Sequence, residues 1–142
     1  MTRYRQLLEN YAVLVGIEPA SDFLDTQEVQ VAELSVGFTV EGDEDNGSIV
    51  LFTSLGLPTP QMPRERLLQL MLEANAFWAG TGGCTLGLQA HTGAVLVCAR
   101  APLALCDAAA FAAVVDAFAE VALLWREIVQ GRQMVDMQTL AA

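Results

Sequence analysis

Three cysteines, one histidine and two turn-like clusters are the parts of this chain whose residue types could do chemistry. Cys84, Cys98 and Cys106 include no Cys-x-x-Cys pair. An odd number of thiols on apolar, strand-like stretches points to reduced, buried cysteines in a cytoplasmic setting. A cysteine nucleophile needs a base held beside it. The sole histidine, His91, falls in the turn "HTG", several residues from Cys84 and Cys98, and leaves an imidazole-based metal site without a second ligand. "DEDNG", residues 43–47, has the composition of a calcium loop, but the later bidentate Glu is missing and Thr53, Ser54 and Leu55 occupy that region. "GTGG", residues 80–83, precedes a strand, whereas phosphate-cradling loops open a helix. Carboxylate pairs occur only in turns and on helix faces, where nothing would raise one pKa for acid–base work. The expectation is a protein that is not an enzyme, with no catalytic residue, cofactor or metal.

The elements that must carry any other function come from composition and periodicity. The chain has 142 residues, which suits one domain over residues 1–131 and a flexible tail over 132–142 with weak spacing at Met134, Met137 and Leu140. Hydrophobic residues make up 54 %, and 17 acidic against 7 basic residues give a formal net charge of −10. Such a surface repels phosphate backbones and anionic lipid, so neither nucleic acid nor a membrane is expected as partner. Gln6, Glu9 and Asn10 interrupt any signal-peptide core. The most apolar segment, residues 108–125, is not read as a membrane span. Phe111, Val115, Phe118, Ala122, Trp125 and Val129 share one side of a helix, and Asp116, Glu120 and Glu127 share the other.

Periodicity predicts a first helix from Thr2 to Val15, with apolar positions Tyr4, Leu7, Leu8, Tyr11, Leu14 and Val15, stopped by Gly16. Residues 17–28 read as a loop. Val29 and Val31 alternate out of phase with Leu34, Val36, Phe38 and Val40, which implies a bulge or two short strands. "EGDEDNG" connects to "SIVLFTSLG", apolar on both faces and therefore central. Three prolines follow, then the helix "LLQLMLEANAFW", then the hairpin "CTLGLQA–HTG–AVLVCARA". Asp107 is the expected cap of the long last helix and Gly131 its stop. The fold class is α+β: helix, antiparallel strands, helix, hairpin, long C-terminal helix.

The feature that stands out is surplus apolar surface on the middle helix. Leu67, Leu70, Met71, Ala74, Phe77 and Trp78 form a core-facing stripe at about 100° per residue. Leu68, Leu72, Asn75 and Ala79 form a second row roughly 120° away by the same arithmetic. A second apolar row on a small acidic protein implies association, and a leucine row with small Ala79 suits an isologous homodimer.

This order of features resembles the class I type III secretion chaperones, the Tir-chaperone-like family. The likeness rests on the first helix closed by "LVG", the hairpin "VGFTVEG…SIVLFTSLGLP", and the block from residue 67 to 111. That block carries Ala74-Asn75, the strand at Leu86 to Leu88, Thr92-Gly93, Pro102-Leu103, and Trp125 beyond it. The "EGDEDNG" turn is longer than the family pattern, and the methionine-bearing tail lies outside it. The resemblance implies a cytoplasmic, bacterial homodimer that binds the N-terminal segment of a secreted effector and keeps it extended and export-competent. It places Leu68, Met71, Leu72 and Asn75 in the dimer interface. Client contact falls near Leu7, Leu8, Tyr11, Val36, Phe38 and Leu51, with client strands added to a sheet edge. The secretion ATPase is a further candidate partner, and a general peptide-binding adaptor of the same fold outside secretion is the alternative.

Overall fold

In a computed structural model, residues 1–132 are described; of the tail expected at 132–142, all but Arg132 lies outside them. The architecture is α+β. The chain runs α1 (Arg3–Val15), α2 (Ala20–Thr26), β1 (Glu28–Val31), β2 (Leu34–Glu41), β3 (Ser48–Gly56), α3 (Arg64–Asn75), β4 (Thr85–Leu88), β5 (Val95–Pro102) and α4 (Ala108–Val129). Short 3₁₀ turns follow α3 (Ala76–Trp78) and β5 (Leu103–Leu105). The strands form one sheet in the order β1-β2-β3-β5-β4, so β3 is interior and β1 and β4 are its edges. Two compact units divide these residues: Met1–Phe52 with Arg100–Ala119, and Thr53–Ala99 with the described part of the remainder.

In the first unit, α1 begins where Thr2 Oγ1 accepts the Arg5 amide and ends at Gly16, whose φ of 82° is left-handed. Its N-terminus is held by the acidic turn: the Tyr4 amide donates to the Glu44 carbonyl, the Arg3 amide to Asp45 Oδ1, and Thr2 Oγ1 to Glu44 Oε1. The "DEDNG" segment is thus a helix-docking turn, stabilised by Asp43 accepting the amides of Asp45 and Asn46. The out-of-phase valines resolve into two strands. Val31 pairs with Leu34 and Val29 with Val36 around a tight turn in which Ala32 and Glu33 both have positive φ. Residues 17–28, expected as a loop, contain α2. It has 7 residues and buries one, Phe23, too short a pattern for periodicity to show.

Phe23 enters an aromatic core with Tyr11, Phe38 and Phe111 at ring-centroid distances of 5.1 to 6.2 Å, several of them edge-on. Each such contact adds about 0.5–1.5 kcal/mol beyond its buried area. Leu14 and Val15 were expected on the apolar face of α1 but are exposed, and Ala12 is buried instead. They lie in the last turn before Gly16, where the helix ends before that face can be covered.

In the second unit, Leu67, Leu70, Met71 and Ala74 of α3 are buried together with Leu86, Val95 and Val97 of the β4–β5 hairpin. Trp125 is fully buried and its Nε1–H donates to the Gly80 carbonyl at 3.0 Å. Thr59 Oγ1 donates to the Gln130 carbonyl. Asp107 caps α4 as expected, accepting the Ala110 amide. The helix is long and apolar enough to cross a membrane by length and composition. Its apolar residues Phe111, Val115, Phe118, Ala122, Trp125 and Val129 are nevertheless buried within the protein, and Asp116 and Glu120 face out.

Candidate functional site: an exposed apolar row at the end of the middle helix

Helix α3 ends three residues before the apolar stripe does. Asn75 is its last residue, and Ala76 turns away with φ −63° and ψ 117°. Phe77 and Trp78 then adopt left-handed backbone at φ 58° and 56°. A non-glycine residue there costs about 1–2 kcal/mol. The turn is closed by the Gly80 amide on the Ala74 carbonyl and the Cys84 amide on the Thr81 carbonyl. Had the helix continued, Phe77 and Trp78 would have joined the Met71 and Ala74 stripe. Instead Phe77 is 93 % exposed and Trp78 56 % exposed, which corrects the expectation that both face the core.

The helix presents Leu72, 72 % exposed, and half-buried Leu68 as an apolar strip, and the two aromatics just after it add further exposed apolar surface. Each large apolar side chain left in water forgoes about 1.5–3 kcal/mol of burial. Of the four residues expected at a dimer interface, Leu68 and Leu72 lie on this strip. Met71 is buried inside the unit. Asn75 is half-buried and spends its side chain on Leu86: Nδ2 donates to the Leu86 carbonyl and Oδ1 accepts its amide, both at 2.9 Å. Phe77 and Trp78 are exposed as well although their spacing hid it; the sequence signal for them was the run Gly80, Gly82, Gly83, too close behind to allow another helical turn.

The six residues expected to meet a client sit elsewhere. Leu7, Leu8, Tyr11, Val36, Phe38 and Leu51 are 0–5 % exposed, and Tyr11 and Phe38 are members of the aromatic core. The structure brings them together as core packing rather than as an open groove. The large exposed apolar residues of that unit are Met1, Leu105, Phe52, and Val13, Leu14 and Val15 at the end of α1. The Phe52 ring lies across Gly37, its register partner on β2, so closely that a Cβ at Gly37 would come within 2.5 Å of the ring. This is the approach of an aromatic ring to bare backbone that only glycine permits.

The thiols sit in surroundings that oppose nucleophilic chemistry. Burial pushes the Cys84 pKa up to about 11, with Cys98 adding to the rise, and burial followed by the Asp107 charge raises that of Cys106. Both are protonated at neutral pH. His91 is exposed at the β4–β5 turn. Among the described residues no three His, Cys, Asp or Glu side chains cluster as metal ligands would.

Known proteins place the fold. The chain is similar over most of its length to several solved structures. One is the HopA1-SchA chaperone-effector complex, at 18 % identity and a TM-score of 0.63, covering 88 % of this chain and 94 % of that one. Another is the Yersinia pestis type III secretion chaperone SycH in complex with a stable fragment of YscM2, at 18 % identity and 0.62, covering 85 % and 98 %. A third is the heterodimeric ExoU-SpcU complex from the type III secretion system of Pseudomonas aeruginosa, at 22 % identity and 0.60, covering 86 % and 97 %. No match is found among curated proteins. The model of the Tir chaperone protein (CesT) family matches residues 6–126. With a helix–sheet–helix–hairpin–helix order already in place and the match spanning α1 to the last turns of α4, this chain belongs to the Tir chaperone protein (CesT) family.

Proposed function

We propose that this protein is a non-catalytic type III secretion chaperone that works as a homodimer and holds the N-terminal segment of an effector extended. The family match over residues 6–126 carries this reading. The similar structures supply the precedent, since they are of chaperones bound to an effector or to a protein fragment. In the proposed dimer, Leu68, Leu72, Phe77 and Trp78 are covered by the same strip of a second copy. Met71 is buried within the unit, and Asn75 marks where the helix ends between Leu72 and the two aromatics.

Client contact falls to exposed neighbours of the expected residues rather than to those residues themselves. Leu14 and Val15 extend the face that Leu7, Leu8 and Tyr11 begin, and Phe52 lies one position beyond Leu51. The β1 edge offers backbone for strand addition. A disordered segment loses about 1–2 kcal/mol of backbone freedom per residue it orders. Backbone pairing and a few apolar anchors along a long path offset that loss. Co-expression with the product of a neighbouring gene is the test. A stable complex is expected in which the client's N-terminal region resists protease while the rest is digested. A client digested uniformly along its length overturns the reading.

A further inference from the structure

We propose that Asn75 is an edge cap: its carboxamide stands in for a neighbouring strand on β4 and closes that side of the sheet to strand addition by a second copy of this chain. In an antiparallel ladder, residues whose N–H and C=O point to the neighbouring strand alternate with residues whose groups point away. Leu86 is opposite Val97 in register, yet both of its peptide groups bond Asn75, at 2.9 Å each. Its backbone therefore faces outward. The Gln89 amide donates to the Ala94 carbonyl across the hairpin, as the alternation requires three residues on. The outward positions of β4 (Thr85–Leu88) are thus Leu86 and Leu88.

An amide side chain is the one common group that copies a peptide, with a donor and an acceptor at the spacing a strand presents. With Leu86 taken, only Leu88 remains, and one outward residue cannot support a ladder. The other edge is built differently. Around the Ala32-Glu33 turn, Val29 and Val31 bond inward to β2, and the Phe38 amide donates to the Gln27 carbonyl. Glu28 and Gln30 consequently direct their backbone groups outward, two consecutive positions of an exposed edge. Unpaired edges invite pairing between copies. The half-exposed Leu88 beside Leu86 would favour it at β4.

Amide exchange in the full chain tests the bonds directly. The Leu86 amide is expected to exchange at least about tenfold more slowly than that of Gln30. In Asn75→Ala, Leu86 should lose that protection, and the particle should grow beyond its wild-type mass as concentration rises. Adding Leu88→Lys should restore the wild-type mass, because a charge on the edge blocks pairing without removing a buried group. Asn75→Asp keeps the shape and the acceptor but sets a carboxylate against the Leu86 carbonyl, so it should behave like Asn75→Ala at neutral pH should the smaller residue fail to fold. A Leu86 amide as fast as Gln30 in the wild type overturns the proposal. So does a folded Asn75 variant of lower melting temperature whose mass is unchanged, since that is the outcome if Asn75 only ends a helix.

Discussion

Asp43 shows how much one side chain can settle in an acidic loop. Its carboxylate accepts the amides of Asn46 and Asp45, and those bonds hold its pKa below the ordinary carboxylate range. A folded-state pKa below the unfolded value contributes stability above the unfolded pKa, about 3.9 for Asp. That contribution is lost as pH falls through the folded value. Asp43→Asn retains an acceptor oxygen but has no charge to titrate. Its melting temperature should therefore fall less steeply than the wild type's as pH drops below about 4. Parallel melting curves across that range would show that the turn, and with it the dock for α1, does not depend on the charge. The sequence showed the acids and the glycine of this turn; that Glu44 and Asp45 reach Thr2 and Arg3 depends on a fold that brings residues 42 positions apart together.

At the scale of elements, the informative case is α3. Its stripe of Leu67, Leu70, Met71 and Ala74 follows helical spacing and is buried as spacing predicts. The two aromatics that continue the spacing are not, because Asn75 is tied to Leu86 and the chain turns left-handed after it. Glycine tolerates such backbone without penalty. Replacing both Phe77 and Trp78 by Gly should thus leave fold stability within about 1 kcal/mol of wild type, relief of strain offsetting greater unfolded-state freedom. The same double variant should halve the particle mass measured by light scattering if the strip is the dimer contact. A dimer that persists unchanged would move the interface elsewhere. Short α2 was missed for the opposite reason: one buried residue, Phe23, gives no period to detect.

For the whole molecule, the formal charge of −10 is the property most open to test. Complementary charge speeds encounter more than it strengthens the final complex. The association rate with the client should fall as added salt shortens the Debye length below its physiological value of about 8 Å, while dissociation changes little. A rate insensitive to salt would leave apolar contact as the whole basis of recognition. The α+β class, the central place of β3, the caps at Thr2, Gly16 and Asp107, and the amphipathic last helix could all be derived from the sequence. They follow from local chemistry and from periods that repeat within one element. Only the tertiary structure decided which apolar residues remain outside. It buried Leu7, Leu8, Tyr11, Val36, Phe38 and Leu51, and it exposed Leu72, Phe77 and Trp78. Hydrophobicity names the residues that seek burial. Whether a given one finds it depends on where the helix stops and on what the rest of the chain sets against it, and neither is a property of nearest neighbours in sequence.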